Sequence, residues 1–279
     1  MTRDYGTAPV VEASVDDPDE SETVLRMLDR EADLETRYGG GFVQSIDGVS
    51  GGIEAGRSRD WFFYVNGVES PIGSADRSVA GGDRVWWDHH DWTDVMRVPA
   101  VVGSWPEPFL QYSAVEERLP VRVECATAAP VCERALERLT DHGVSASSGQ
   151  LQRAPRTEAM RMLVGPWRSV RDDPAAAQIG AGPDESGVFA RFDAGPEGPE
   201  LVALDERAAP VARLGEGAGL VAAVREGDAP PTWVVSGVDV AGVRAAVEAL
   251  EEAQLADRYA LAVGAASDES LPLPVVEKP

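Results

Sequence analysis

The stretch DWFFYVNGVESPIG, residues 60–73, decides the fold of the first part of this chain. Apolar residues run along it up to Asn66 and Gly67, the two residues that best tolerate the positive φ of a tight hairpin turn. Asn66 is the only asparagine in the chain. The stretch therefore predicts a strand that turns at Asn66-Gly67.

Neighbouring stretches extend this strand into a sheet. The residues VVEASV (10–15) alternate like a strand, and Ser21 is placed to cap a short helix. The stretches GGGFVQSIDGV (39–49) and RVWWDHHDW (84–92) predict two further strands. The order strand, helix, strand, strand, strand predicts a small mixed sheet with one helix packed across it.

Composition and charge exclude several classes of function. The chain has 48 acidic and 25 basic residues, for a formal net charge of −23, which repels nucleic acid and anionic lipid headgroups. It contains no run of about 18 apolar residues, so no transmembrane helix is predicted. No secretory signal segment opens the sequence. At 43% apolar residues, the 279-residue chain can bury a substantial core.

The aromatic residues divide the chain into two parts. Twelve of the eighteen lie between Tyr38 and Tyr112, whereas the second part is rich in Ala, Val and Gly. We expect a proline-containing connector between two domains and an extended, mobile tail after them. The expected boundaries are a first domain at 1–105, the connector at 106–118, a second domain at 119–264 and the tail at 265–279.

The second part predicts an α/β domain. The strand VRVEC precedes a helix from about Pro130 to Asp141, and an apolar strand follows at about 160–165. The strand TWVVSG, a helix capped by Asp239 and the strand YALAV predict a βαβ unit. Three short strands, VFARF (188–192), LVAL (201–204) and LVAAV (220–224), are expected to pair antiparallel with one another.

Cys125 and Cys132 are the two cysteines of the chain. Two thiols without nearby histidines cannot complete a zinc site, and their spacing differs from that of a thioredoxin-type pair. A disulfide would join a strand end to the first turn of the following helix and would imply an oxidising compartment. Two free buried thiols are the alternative.

The aromatic strands supply the candidate binding site. The strand at residues 61–65 is apolar on both faces, so its second face must meet the second domain, a partner or a flat apolar ligand. Contact with the second domain is one interpretation. The other is a shallow ligand-binding or docking surface lined by Tyr64, Trp86, Trp87 and Trp92, with His89 as a further candidate.

Metal and enzyme sites have less support. His89 and His90 are adjacent in a strand and point to opposite faces, so we predict no metal site. The glycines at 39–41 lack the lysine and hydroxyl residue of a phosphate loop, and no G-x-S-x-G motif occurs. His142 is expected to cap a helix end. An enzyme with its site in the C-terminal domain stays the weaker alternative to a non-enzymatic protein.

Three ordered motifs resemble the transcobalamin C-terminal-like family of SLBB-class, β-grasp ligand-binding modules, over about residues 2–95. The resemblance implies a β-grasp-like first domain, no enzyme activity and no cofactor other than cobalamin as a possible ligand. The residues that carry it are Gly41, Phe42, Ser45, Ile46 and Gly48, then Trp61, Tyr64, Val65, Asn66 and Gly67, then Gly82, Asp83, Val85 and Trp86.

The resemblance also implies a setting for the protein. Members of this family are exported or attached to the bacterial cell surface, so we expect an extracellular or cell-surface location, with a cytoplasmic one as the alternative. The expected function is binding of a cobalamin-like or other flat apolar small molecule. The first alternative is a structural or interaction protein of the cell envelope, whose partner is another protein.

Overall fold

The computed structural model describes residues 1–15, 18–19, 21–111, 118–152, 159–196, 198–264 and 270–276. Helices alternate with mixed sheets, which confirms the predicted α+β class. Within these residues, no helix is both long and apolar enough to cross a bilayer.

The elements up to residue 91 are β1 (Thr2–Arg3), β2 (Ala8–Pro9), α1 (Val24–Glu31), β3 (Leu34–Arg37), a 3-10 turn (Tyr38–Gly40), β4 (Phe42–Ile46), β5 (Val49–Ser50), β6 (Gly52–Glu54), β7 (Arg57–Val65), β8 (Val68–Glu69) and β9 (Val85–Asp91). Those up to residue 186 are β10 (Val121–Cys125), α2 (Ala129–Asp141), β11 (Ala146–Gln150), β12 (Met160–Pro166), α3 (Trp167–Val170), α4 (Pro174–Ala181) and α5 (Pro183–Ser186). The remaining elements are β13 (Ala190–Gly195), β14 (Gly198–Leu204), β15 (Pro210–Leu214), β16 (Gly219–Val224), β17 (Thr232–Gly237), α6 (Val240–Glu248), α7 (Glu252–Leu255), β18 (Ala260–Val263) and β19 (Ser270–Leu273).

Strand β9 lies at the centre of the first sheet. It pairs antiparallel with β7, with Arg59 opposite Asp91, and parallel with β1. Strands β2 and β6 form the edges, and β8 pairs with the end of β7. The intervening turn has positive φ at both Asn66 (54°) and Gly67 (77°), which confirms the predicted hairpin.

Three predictions in the first part are wrong. The predicted single sheet is two sheets, because β4 does not pair with β7 or β9 and instead lies between β3 and β5, antiparallel to both. Residues 10–15 form no strand. The amides of Val10 and Val11 both donate to the carbonyl oxygen of Met1 (2.9 and 3.4 Å), whereas consecutive amides of a strand point to opposite sides. Helix α1 begins after Thr23 rather than after Ser21. The Thr23 hydroxyl accepts a hydrogen bond from the amide of Arg26 (3.3 Å) and so caps the helix.

The second sheet has seven strands in the order β11-β10-β12-β17-β16-β18-β19. The first four are parallel, and the remaining pairs are antiparallel. Strands β10 and β11 are adjacent and parallel and are joined by α2, which makes a βαβ unit. Helices α2 and α6 contribute Leu139 and Val243 to a core that also contains Val123 of β10.

Strand β16 lies elsewhere than the sequence predicts. Residues 220–224 do not pair with β13 and β14, which form a separate sheet with β15. Instead β16 lies between β17 and β18, antiparallel to both, so the βαβ unit formed by β17, α6 and β18 is split by an inserted strand. All six residues of β16 are buried, and a strand buried on both faces belongs in the middle of a covered sheet.

Parts of the predicted connector and tail pack into the core. The rings of Trp105 and Phe109 contact Trp233, with centroids 5.4 and 5.2 Å apart. The mobile-tail prediction is wrong for residues 270–276, because Ser270–Leu273 pairs with β18 and Leu273 is buried. The other residues of these two segments, 112–117, 265–269 and 277–279, lie outside the described part of the chain.

One hydrophobic cluster contains residues from both predicted domains. Tyr5, Tyr64 and Trp86 from the first part pack with Phe189 and Tyr259 from the second. The two parts therefore share a core, and the domain boundary near residue 105 stays a prediction.

A disulfide joins the two cysteines. Cys125 is the last residue of β10, and Cys132 lies in the first turn of α2. Of the two states that the sequence leaves open, the structure has the bonded one.

Candidate functional site

A cleft of about 840 Å³ opens between the N-terminal segment, helix α1, the turn before β9 and the region of α7. Strand β9 contributes Trp86 and Trp87 to its lining. Aliphatic and thioether side chains make up much of the rest, and they include Val10, Val11, Met27, Leu28 and Val79.

The glycine-rich turn before β9 is held in place by polar contacts. The buried side-chain amide of Asn66 donates to Asp83 (2.8 Å), and its oxygen accepts from the amide of Arg84 (2.9 Å). Asp83 also accepts from the amide of Ala80 (2.9 Å). The left-handed conformation of Gly82 (φ 91°) completes the turn. This wall of the cleft is therefore fixed by the hairpin at Asn66.

Five carboxylates and one guanidinium line the cleft. Two of the carboxylates have partners: Asp83 accepts from Asn66 and Gln111, and Glu252 pairs with Arg84 (2.7 Å). The charges of Asp83 and Glu252 are therefore partly offset by their partners, and the other three carboxylates contribute most of the negative charge of the cleft.

The three remaining carboxylates, Glu12, Glu31 and Asp257, form no ion pair within the described residues. Partial loss of hydration raises the pKa of Asp257. The amino terminus and Arg258 oppose this shift, whereas the carboxylates of Asp88 and Glu12 add to it. The cleft is thus a region of negative potential.

Beside the cleft, a buried carboxylate joins three parts of the chain. Asp88 of β9 is 0% exposed, and each of its oxygens accepts more than one hydrogen bond. Its partners are the Thr2 hydroxyl (2.5 Å), the amides of Tyr5 (3.1 Å) and Gly6 (3.0 Å), the Tyr259 hydroxyl (3.0 Å) and His90 Nδ1 (3.0 Å). We call Asp88 and these five partners the Asp88 network.

The Asp88 network holds a negative charge in the interior. Burial by itself would raise the pKa of Asp88, but the hydrogen bonds from His90, Thr2 and Gly6 outweigh it and hold this pKa below its ordinary value. Burial and the charge of Asp88 raise the pKa of Tyr259 well above its ordinary value, so its hydroxyl stays a donor. The network therefore ties strand β1 and the loop before β18 to β9.

The residues predicted to line an aromatic surface are mostly interior. Tyr64 and Trp86 are buried on one face of the sheet, with ring centroids 5.5 Å apart. Trp87, 3% exposed, packs against Phe63 on the other face. Trp92 is half-buried and donates to Asp60 (3.0 Å). Trp86 and Trp87 line the cleft, and Tyr64, His89 and Trp92 do not.

The histidines are engaged away from the cleft. His89 packs against Trp61 (5.2 Å), and burial and the charge of Arg59 lower its pKa. His90 stacks on Phe62 (4.5 Å) on the opposite face. His142 caps α2 through its backbone amide, and its Nε2 accepts from the indole of Trp105 (3.1 Å). No group of three or more His, Cys, Asp or Glu side chains in the described ranges is placed to hold a metal ion.

Sequence reasoning missed the Asp88 network and the far wall of the cleft. The one sequence feature that could have indicated the network is Asp88, because it is a charged residue in a strand that is otherwise rich in tryptophan and expected to be buried. Its partners Thr2 and Tyr259 lie 86 and 171 residues away, so no local pattern connects them. Asp257 is missed for the same reason.

Part of the cleft belongs to a segment that matches a known protein family. The segment from residue 21 to residue 91 matches the family model described as a domain of unknown function (DUF4430). Residues 21–91 are a DUF4430 domain. This is the family of transcobalamin-like domains. No curated protein matches the chain.

The DUF4430 domain supplies only part of the cleft. It contributes α1, the glycine-rich turn and β9, which includes Trp86 and Trp87. Residues on either side of it in sequence also line the cleft, among them Val10, Glu12, Gly103, Ser104 and Asp257. The cleft is therefore composite.

Proposed function

We propose that this protein binds a small organic molecule in the cleft and does not transform it. The cleft itself carries the proposal. Its volume of about 840 Å³ falls in the range of roughly 300–1,000 Å³ that small-molecule sites occupy. Its lining combines apolar side chains with charged groups and is more polar than that of most small-molecule sites.

The histidines and the buried carboxylate of Asp88 do not line the cleft. In the part of the chain that the structure describes, His89, His90 and His142 pack against aromatic rings and do not line the cleft. Asp88 is fully buried, and both of its oxygens are occupied by donors. A proton-transfer residue must reach the substrate, and these groups do not, which leaves only the carboxylates of the lining for such a role in an enzyme.

The DUF4430 match supports a finer proposal about the first domain. We propose that it is a transcobalamin C-terminal-like module of the β-grasp type, and that cobalamin and other flat apolar molecules belong among the first ligands to test. The rings of Tyr64 and Trp86 contact Tyr259. A flat ligand would therefore occupy the cleft rather than an open aromatic face.

We also propose an extracellular or cell-surface location. The disulfide between Cys125 and Cys132 supports it, because such bonds persist in oxidising compartments. The family resemblance of the first domain supports the same location.

One observation favours a second candidate function, that of a structural or interaction protein of the cell envelope. The aromatic side chains that would recognise a flat ligand are instead buried between the two parts of the chain, with Tyr64 and Trp86 against Tyr259. If this second function is correct, the aromatic residues hold the two parts of the chain together, and the outer surface of the protein binds other proteins.

A bulky substitution in the cleft lining distinguishes the two candidate functions, ligand binding and envelope interaction. Gly81 lines the cleft, its φ is not in the left-handed region, and a Cβ there meets nothing within 4 Å. Gly81→Trp therefore adds a large side chain to a residue of the cleft lining without backbone strain. Gly215 has equally open surroundings and does not line the cleft, so Gly215→Trp is the matched control.

Titration calorimetry of both variants against a panel of small molecules tests the proposal. The panel contains cobalamin, other tetrapyrroles, and aromatic amines, alcohols and acids. We expect at least one compound to bind the wild type and Gly215→Trp equally and Gly81→Trp at least about tenfold more weakly. Absence of binding across the panel, or equal binding to all three proteins, would refute ligand binding in the cleft and favour the envelope protein.

A further inference from the structure

The charge of the cleft lining restricts the ligand. Its five carboxylates face one guanidinium, and that guanidinium, on Arg84, is already paired with Glu252. The Met1 ammonium also lines the cleft, where it donates to the carbonyl of Val11 (2.6 Å) and its positive charge acts on Asp257. With five carboxylates against these two cations, an anionic ligand would meet a net like charge in the cleft.

A second observation concerns the wall formed by β9. Trp87 lines the cleft and is 3% exposed, yet its indole N–H has no hydrogen-bond partner in the described residues. A buried donor without an acceptor is unfavourable, and nearly all such groups find a partner in the working state of a protein. The indole nitrogen is itself buried, so an acceptor atom on a ligand can supply that partner only if the Trp87 ring turns toward the cleft.

The arrangement of the carboxylates also bears on the kind of cation. Glu12, Glu31 and Asp257 come from the N-terminal segment, the end of α1 and the loop after α7. In the described part of the chain, no three such groups converge closely enough for a metal ion. Apolar side chains, among them Val10 and Leu28, line the same cleft. This distribution suits a molecule with its own apolar body better than a bare ion.

We infer that the ligand of the cleft is a small organic cation that also carries a hydrogen-bond acceptor, with its positive charge held by Glu12, Glu31 and Asp257. This inference rests on the proposed function of the cleft. The carboxylates attract the cation, the apolar walls bury its body, and the acceptor meets the indole of Trp87.

Three probe molecules of similar structure test which ligand charge the cleft prefers. Phenylalaninamide carries an ammonium group at about pH 6, N-acetylphenylalaninamide is neutral, and N-acetylphenylalanine is an anion. All three have the same ring and a carbonyl acceptor. Calorimetry gives their affinities for the full chain. NMR of the backbone amides of Gly81, Gly82 and Gly103, which line the cleft, shows whether they bind there.

Variants of the full chain test the assigned carboxylates. Asp257→Asn removes one charge, and asparagine tolerates the left-handed backbone at this position (φ 57°). Glu12→Gln removes a second charge. Asp184→Asn is the matched control, because Asp184 is exposed, unpaired among the described residues and outside the cleft lining. Thermal melting of each variant checks that the fold is retained.

We expect the cation to bind about tenfold more tightly than the neutral probe, and the anion to bind most weakly. Asp257→Asn and Glu12→Gln should each weaken cation binding by up to about tenfold, leave the neutral probe unchanged and reduce the sensitivity of binding to salt. Asp184→Asn should change neither affinity.

Other outcomes overturn the inference in distinguishable ways. Equal affinities for the three probes, with shifts at Gly81 and Gly82, would refute the charge requirement and leave small-molecule binding intact. Unmoved cleft resonances with all three probes would also overturn the inference. The proposed function itself would fail only if Gly81→Trp had no effect on any compound of the wider panel.

Discussion

Replacing Asp88 by asparagine is the most direct test of how the two parts of the chain are joined. The two side chains have the same shape, but the amide presents an NH2 group where the carboxylate has an oxygen. In either orientation of the amide, that NH2 group faces at least two donors. Oδ1 accepts from the Thr2 hydroxyl and the Gly6 amide, and Oδ2 accepts from the Tyr5 amide, the Tyr259 hydroxyl and His90.

The structure sets the size of the effect. A buried donor that loses its acceptor costs about 1–3 kcal/mol, so two or more lost acceptors should destabilise the fold by about 3–5 kcal/mol. Asp172→Asn is the control: Asp172 is 92% exposed, and its replacement should change the free energy of unfolding by no more than about 0.5 kcal/mol.

Urea denaturation and amide hydrogen exchange measure the loss globally and locally. We expect lower midpoints and faster exchange at Tyr5 and Gly6, because their amides donate to Asp88. The pKa of Asp88 is lowered in the fold, so its ionised form stabilises the protein above the ordinary value of about 4, and this contribution disappears as the pH falls through the folded pKa. The difference between wild type and Asp88→Asn should therefore shrink in acid. A loss below about 1 kcal/mol at neutral pH, or unchanged exchange at Gly6, would refute the proposed network.

Three further predictions follow from described contacts. Asn66→Ala should destabilise the protein by about 2–4 kcal/mol in urea, because it removes two hydrogen bonds at a buried site with φ 54°, one of them to Asp83; a loss under about 1 kcal/mol would contradict this. Replacing both Cys125 and Cys132 by serine opens a short loop of sequence separation 7 and should cost about 2.5 kcal/mol, and reductant should lower the midpoint of the wild type but not of the variant. Burial raises the pKa of Glu107, so its ionised form opposes folding above the ordinary pKa; Glu107→Gln should raise the urea midpoint at neutral pH more than at about pH 4, and the reverse order would exclude this cause.

Local patterns in the sequence predict much of the fold. The hairpin at Asn66 and Gly67 and the helix after Cys125 depend on turn chemistry and on periodicity within a few residues, and both are present. The strand at residues 220–224 is also correctly predicted, but its partners are not. Pairing depends on which faces other elements cover, and a single strand carries little information about its neighbours.

The candidate site depends on contacts that span most of the chain. Alternation along β7 correctly indicates two apolar faces, but it does not reveal that Tyr259 covers one of them. The cleft needs Glu12 and Asp257 on opposite sides of the DUF4430 domain in sequence. The packing of the whole chain brings these two residues together, so their spacing in the sequence does not predict that they are close.

The close fit of the first turn against the loop after α7 limits how this protein can be divided. A Cβ on Gly6 would lie 1.9 Å from the backbone oxygen of Asp257, so the two backbones touch where only glycine fits. A recombinant fragment cut at residues 21 and 91 would lose this contact together with Thr2, Tyr5 and Tyr259. It would leave Trp86 without its contact to Tyr259 and Asp88 without most of its donors, so we expect the family domain alone to fold less stably than the whole chain.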